Sequence, residues 1–185
     1  MTKERVLKRI AGVIARCRSC KKGCTGKAVP GEGSADARVM FIGEAPGREE
    51  AKTGRPFVGR SGKLLRQSIR DIGLAEDGVF ITSPVHYLPD RGTPSKGMIR
   101  HGREHLFEQL AVIEPDIIVL LGNTACTALL DTRVEVTKQH GTTVRKEGRT
   151  YFITFHPAYA IRFTEGKRLF LEDLARLKKM IRAPR

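Results

Sequence analysis

The chain has 185 residues, with 34 Lys and Arg against 20 Asp and Glu and a formal net charge of +14. That length fits one domain over residues 1–185 with a sizeable core, and the positive excess is the usual footprint of a phosphate-bearing partner. No run reaches the roughly 18–20 apolar residues that cross a bilayer, and the N-terminal stretch lacks an apolar signal region, so the expectation is a cytoplasmic protein without membrane contact whose four cysteines are reduced or metal-bound. The cations are spread along the chain, which argues for a folded basic face over a disordered arm. A surface kept basic for solubility is the plainer alternative.

In chain order, residues 4–16 place Val6, Leu7, Ile10, Val13 and Ile14 at helical spacing and predict an amphipathic helix. A loop with cysteines and glycines fills 17–37. Val39-Met40-Phe41-Ile42 predicts a buried strand over 38–43, followed by a Gly/Pro-rich loop over 44–61. A helix over about 62–72 carries Leu64, Leu65 and Ile69 on one face. A second strand covers 79–82, a proline-containing loop 83–96 and a helix about 97–112. Residues 116–122 give the clearest buried strand, and a helix runs from Thr124 to Leu130. A hairpin-like pair at about 142–147 and 149–154 leads to His156, and a last helix covers about 167–181. Strands alternating with helices imply an α/β fold, a three-layer α/β/α sandwich around a central, mostly parallel, four-stranded sheet.

The turn Gly43-Glu44-Ala45-Pro46-Gly47 ends the first strand. The carboxyl end of a strand in an open α/β sheet is where ligands bind. Glu44 puts a carboxylate at that mouth, and Pro56-Phe57-Val58-Gly59 adds an aromatic ring on a short constrained segment. An acid and a ring face suit a flat, neutral, polar ligand such as a nucleobase. An ordinary turn with a core phenylalanine is the plainer reading of the same residues.

These segments resemble the family 4 uracil-DNA glycosylases, a group related to thermophile and archaeal uracil-excision enzymes. The resemblance spans nearly the whole chain. It rests on Val29-Pro30-Gly31-Glu32-Gly33, the Gly43–Gly47 turn, Gly54-Arg55-Pro56-Phe57-Val58-Gly59-Arg60-Ser61-Gly62, Phe80-Ile81-Thr82, Ile118-Val119-Leu120-Leu121-Gly122, and His156-Pro157-Ala158 with Arg162. It implies monofunctional hydrolysis of the N-glycosidic bond of uracil in DNA by a monomer, as the first step of base excision repair. The base leaves the duplex for a pocket that reads its edge and stacks on its face. On that reading Phe57 stacks on the base, while backbone amides of Gly43, Ala45 and Gly47 contact it. Glu44 orients water or stabilises the sugar cation, and a neutral His156 donates to the departing uracil O2. Arg60, Arg91, Tyr159 and Arg162 contact DNA, with Lys52, Arg55 and Lys63 flanking the pocket. His86, His101, His105 and His140 read as ordinary surface or loop residues.

Three positions depart from the family pattern. Ser83 stands where an asparagine usually reads the uracil edge, and a hydroxyl lacks the amide's donor–acceptor pair. Weaker discrimination, readout by the backbone, a base range widened toward hypoxanthine, or a DNA-binding relative without catalysis all stay open. The family's [4Fe–4S] cluster uses four cysteines. Cys17 and Cys20 match the first pair, but the later two positions fall at Tyr87 and Gly102, while Cys24 is added. A metal centre completed by Cys126 or by a histidine such as His101 is one alternative, and free thiols are the other. No cofactor is needed for the hydrolysis itself. Third, Ala51 stands where aspartate is common after Glu50, leaving Glu49 and Glu50 as solvated charges or loop braces.

Overall fold

The computed structural model describes residues 1–130, 132 and 134–182. Strands β1 (Cys24–Thr25), β2 (Glu32–Gly33), β3 (Val39–Ile42), β4 (Phe80–Thr82), β5 (Leu88–Pro89), β6 (Ile117–Leu121), β7 (Thr143–Lys146) and β8 (Arg149–Thr154) alternate with helices. The helices are α1 (Lys3–Arg16), α2 (Arg18–Lys21), α3 (Arg48–Thr53), α4 (Arg60–Asp71), α5 (Lys96–Ile113), α6 (Asn123–Leu130), α7 (Val136–Gln139), α8 (Pro157–Arg162) and α9 (Thr164–Arg182). No helix among the described residues is long and apolar enough to cross a membrane.

The main sheet has six strands in the order β2-β4-β3-β6-β8-β7. Its centre is the expected set of four parallel strands, β4, β3, β6 and β8. The four-stranded expectation is short by an antiparallel edge strand on each side. β2 is two residues long and carries no alternation for a sequence reader to detect. β7 was legible as half of a hairpin with β8. Its two-residue turn, Glu147-Gly148, has φ of 51° and 74°, the left-handed pair whose twist matches that of the strands. Every residue of β3 and β6 is buried, as continuous apolar runs in a parallel sheet must be. At about 1.5–3 kcal/mol per buried aliphatic side chain, these nine positions dominate the core.

Helices α1, α5 and α6 pack in one group, and α4, α8 and α9 in another. Right-handed crossovers account for this. The chain leaves β3 toward β4, then crosses back past β3 to β6, so the connections after β3 and β6 run over opposite faces. A crevice therefore opens between the carboxyl ends of β3 and β6, the topological switch point at which α/β folds bind ligands. The loops expected at 17–37 and 44–61 also contain α2, β1, β2 and α3. Each is six residues or fewer, too short for a periodic signal.

Candidate active site

Glu44 and His156 meet at that crevice. Glu44 lies in the turn that follows β3, and its Oε2 accepts a 2.7 Å hydrogen bond from the Thr124 hydroxyl at the start of α6. The bond spans the switch point and fixes the carboxylate, leaving Oε1 free. His156 is the N-cap of α8 and follows β8 by two residues. Its Nδ1 accepts from the Ala158 N–H at 3.1 Å. That bond puts the ring proton on Nε2. Burial lowers the His156 pKa, against the opposing pull of Glu44 and Glu50. The side chain is therefore a neutral imidazole with one N–H left to donate.

The third wall is Phe57, whose ring centroid lies 5.8 Å from that of His156. Its backbone has φ of 52°, unusual for a non-glycine residue. Two features hold it there. A Cβ on Gly43 would come within 2.6 Å of the Phe57 ring, so the ring is seated against the bare glycine backbone. Arg66 donates from Nε to the Phe57 carbonyl at 2.9 Å and from a terminal nitrogen to the Pro56 carbonyl at 2.7 Å. Arg66 is also paired with Glu32 and Glu76, with only 13% of its side chain exposed.

Glu50 braces the opposite side of the loop. It is 8% exposed, and its carboxylate accepts from the backbone N–H groups of Val58 (2.8 Å), Gly59 (2.7 Å) and Gly47 (3.1 Å). Of the two alternatives, bracing describes Glu50, while Glu49 is an exposed surface charge paired with Lys52. Together these residues enclose a cleft of about 320 Å³ lined by Glu44, Ala45, Gly47, Phe57, Ser83, His156 and Arg162, among others. That is small for a ligand site, which suits a single flat ring over a drug-sized molecule. Ser83 is buried, and its hydroxyl donates to the Val85 carbonyl at 2.8 Å. Its proton is committed, so toward the cleft it can only accept. A second hollow, lined by Gly122, Asn123, Glu135, Phe155 and Tyr159, shares Glu44 and His156 as its wall.

The residues expected at a DNA surface lie around this mouth or outside it. Arg162 lines the cleft. Tyr159 and Phe163 are 38% and 52% exposed, and Tyr159 stacks on Phe155 at 4.9 Å. Arg60, Lys63 and Arg91 are exposed. Lys52 and Arg55 are engaged by Glu49 and Glu32.

Of the histidines read as ordinary surface or loop residues, His86 and His140 do lie outside helices and strands, but none of His86, His105 and His140 is exposed. His86 and His105 are buried, and the His140 Nδ1 is 3.0 Å from both oxygens of the fully buried Asp173. His105 belongs to a constellation of side chains that could hold a metal ion. One ligand atom from each of Cys17, Cys20, His101 and His105 all lie within 4.8 Å of one another. Cys24 stands outside this group on β1, and Cys126 is buried in the core. The Cys17 thiol is lowered to about 6: burial would raise it, but the neighbouring His105 and His101 rings and the Cys20 N–H outweigh burial. Burial pushes Cys20 up to about 12.

This group can hold a metal, but it does not match a [4Fe–4S] cluster held by four thiolates. The two missing positions are closed to sulfur ligation as the chain stands. The Tyr87 hydroxyl is spent on the Ala15 carbonyl at 3.0 Å. A Cβ on Gly102 would lie 1.8 Å from the Pro84 carbonyl oxygen, so this backbone admits no side chain there. His101, named as a possible ligand, is in this group, while His105, four residues on along the same predicted helix, was the ligand that the sequence reading missed. Thr124, Arg66 and Gln109 were also missed. Gln109 holds the Pro30 carbonyl and the Thr82 hydroxyl, linking α5 to the end of β4. Each of the three acts through partners distant in sequence.

Comparison with known proteins agrees with this geometry. The model of the uracil DNA glycosylase superfamily matches residues 30–178. A type-4 uracil-DNA glycosylase of Thermotoga maritima is 36% identical over 98% of this chain and 97% of its own length. Type-4 uracil-DNA glycosylases of Sulfurisphaera tokodaii and Saccharolobus solfataricus are each 35% identical, over 97% and 93% of this chain and 86% and 85% of theirs. With the match spanning the sheet, the Glu44 turn and the His156 segment alike, the chain belongs to the uracil-DNA glycosylase superfamily, among its type-4 members.

Proposed function

We propose that this protein, acting as a monomer on DNA, hydrolyses the N-glycosidic bond of uracil and so begins base excision repair. The observation that carries the reading is the convergence on one small cleft of Glu44, Phe57 and a neutral His156 whose free proton is on Nε2. A protein that only binds DNA has no need of all three.

The uracil, swung out of the stack, lies against the Phe57 ring. As the C1′–N1 bond breaks, the electron pair leaves with the base and charge builds on O2. His156 Nε2–H donates to that oxygen, in a site where water is largely excluded and a positioned donor counts for more than in bulk solvent. Positive charge builds on the sugar. Glu44, anchored by Thr124, faces it with the free Oε1 and orients a water molecule for attack at C1′. The water oxygen joins the sugar, and its proton ends on the released base. Ser83, left only with acceptor capacity, complements the N3–H of uracil. Cytosine has no hydrogen on N3, so the same oxygen would face a lone pair. The sugar–phosphate chain runs past the second hollow, with Tyr159 and Arg162 at the vacated stack and Arg60 and Arg91 on phosphates.

Oligonucleotides carrying uracil, hypoxanthine or only normal bases, single- and double-stranded, test this reading. Release of uracil that falls in Glu44→Ala and His156→Ala supports it. Tight binding with no base released from any substrate overturns it.

A further inference from the structure

The Cys17, Cys20, His101 and His105 group lies apart from the cleft, and uracil hydrolysis makes no use of it. We propose that it is a closed, tetrahedral Cys2His2 site for a single zinc ion, taking the place of the iron–sulfur cluster that the resemblance implies.

Spacing is the first argument. Around one zinc, with Zn–S near 2.3 Å and Zn–N near 2.0–2.1 Å, neighbouring ligand atoms lie roughly 3.3–3.8 Å apart. The four atoms here all fall within 4.8 Å of one another, and Cys17 Sγ is already 3.2 Å from His101 Nε2. Thiolates of a [4Fe–4S] cluster each bind a different iron at a different corner, and so stand farther apart than ligands of a single ion. Two thiolates are also half the number that cluster takes.

Unmet bonding is the second argument. His105 is 8% exposed, and both of its ring nitrogens are buried without a hydrogen-bond partner among the described residues. Such a group costs free energy unless something completes it. A zinc ion on Nε2 would satisfy one nitrogen. The other, Nδ1, lies 3.7 Å from a Glu108 carboxylate oxygen, and His101 Nδ1 lies 4.0 Å from one of Glu104. A carboxylate one turn along on the far side of a ligating imidazole is the usual outer partner in zinc sites.

Charge is the third argument. Two neutral imidazoles and two thiolates around Zn²⁺ give a net charge of zero, as a largely buried site requires. Both cysteines ligate as thiolates, so loading the site releases whatever protons they still carry. The Cys20 N–H already points at Cys17 Sγ at 3.4 Å, holding the Cys-x-x-Cys turn in shape before any metal arrives. The ion would staple the α1–α2 junction to α5, whose preceding loop carries Arg91. Its role is structural, with no open coordination position.

The test starts from full-length protein purified anaerobically without chelator or added metal. Elemental and acid-labile sulfide analysis should give one equivalent of zinc, no iron and no sulfide, in a colourless protein. Exchange for cobalt(II) should give the strong visible bands of a tetrahedral site together with thiolate charge transfer. His105→Ala and Cys20→Ser should reduce the metal to a small fraction of one equivalent, and Cys24→Ser should leave it in place. Far-UV circular dichroism checks that the variants fold, and the wild-type cobalt spectrum stands whether or not they do. Iron and sulfide in equal amounts with a brown colour would overturn the proposal. So would a wild type that holds no metal and shows no thiolate band with cobalt, or metal lost from Cys24→Ser but kept in His105→Ala.

Discussion

Removing the Glu50 carboxylate should damage the cleft while leaving the Glu44, Phe57 and His156 side chains in place. In Glu50→Ala the N–H groups of Val58, Gly59 and Gly47 lose their acceptor. Hydrogen bonds to a charged group contribute about 1.5–3 kcal/mol each, and a buried donor left bare costs about 1–3 kcal/mol. Water entering the loosened loop recovers part of this, so a net loss of about 2–4 kcal/mol is expected. For a protein of this size each kcal/mol shifts Tm by about 2–4 °C, which puts the loss at about 4–16 °C. Glu50→Gln keeps one carbonyl oxygen for Val58 and Gly59 but turns an amide N–H₂ toward Gly47, so it should lose about 1–2 kcal/mol. The assay is thermal unfolding beside single-turnover uracil release, with amide exchange followed at Val58 and Gly59. The expected order is wild type, Gln, Ala in all three, with the two amides losing protection first. An Ala variant with unchanged Tm and unchanged release would refute the bracing role.

Arg66→Lys should behave much like Arg66→Ala, because one ammonium cannot serve two carbonyls and two carboxylates at once. Both should lower stability by about 2–4 kcal/mol and raise KM for uracil-containing DNA as Phe57 loosens, a result read from unfolding and steady-state kinetics. Gly102→Ala forces a Cβ against the Pro84 carbonyl. A stability loss of at least about 1–3 kcal/mol is expected, and Gly102→Cys should likewise fail to gain a sulfur ligand, as metal analysis would check. His156 has a folded-state pKa below its unfolded value, so its folded form binds fewer protons than the unfolded chain. Its contribution to stability is therefore complete above about pH 6.5 and declines as pH falls toward the lowered pKa. The stability gap between wild type and His156→Gln, measured by denaturant titration across this range, should narrow in acid.

The parts of the site that were legible in the sequence are local. The run Val39–Ile42 reads as a buried strand, and the Gly43–Gly47 turn at its end places Glu44 at a sheet terminus. Phe57 and His156 were legible as motif residues. What holds them was not. Thr124 is 80 residues from Glu44, and Arg66 reaches Glu32 from 34 residues away; no periodicity carries such pairings. Glu50 looked like one of two charges on a polar turn, and only the fold of the 47–59 loop shows that its carboxylate is enclosed. The histidines misled for a related reason. His105 sits on a helix of mixed polarity, and its burial follows from where α2 docks, which the two-residue and four-residue elements around it did not announce. The serine at position 83 was read as a missing reader. Its bond to Val85 makes it an acceptor of fixed direction.

The central claim is that His156 and Glu44 act on the departing base and the sugar once DNA is bound. Single-turnover release of uracil from a double-stranded oligonucleotide, measured with enzyme in excess for wild type, His156→Ala and Glu44→Gln, together with binding of a non-cleavable analogue, tests it most directly. Binding within a few-fold of wild type is expected for both variants. Release should fall about 10²–10³-fold without the His156 donor and about 10²–10⁴-fold without the Glu44 carboxylate. Release at the wild-type rate in either variant, or rate losses matched by equal losses of binding, would contradict it.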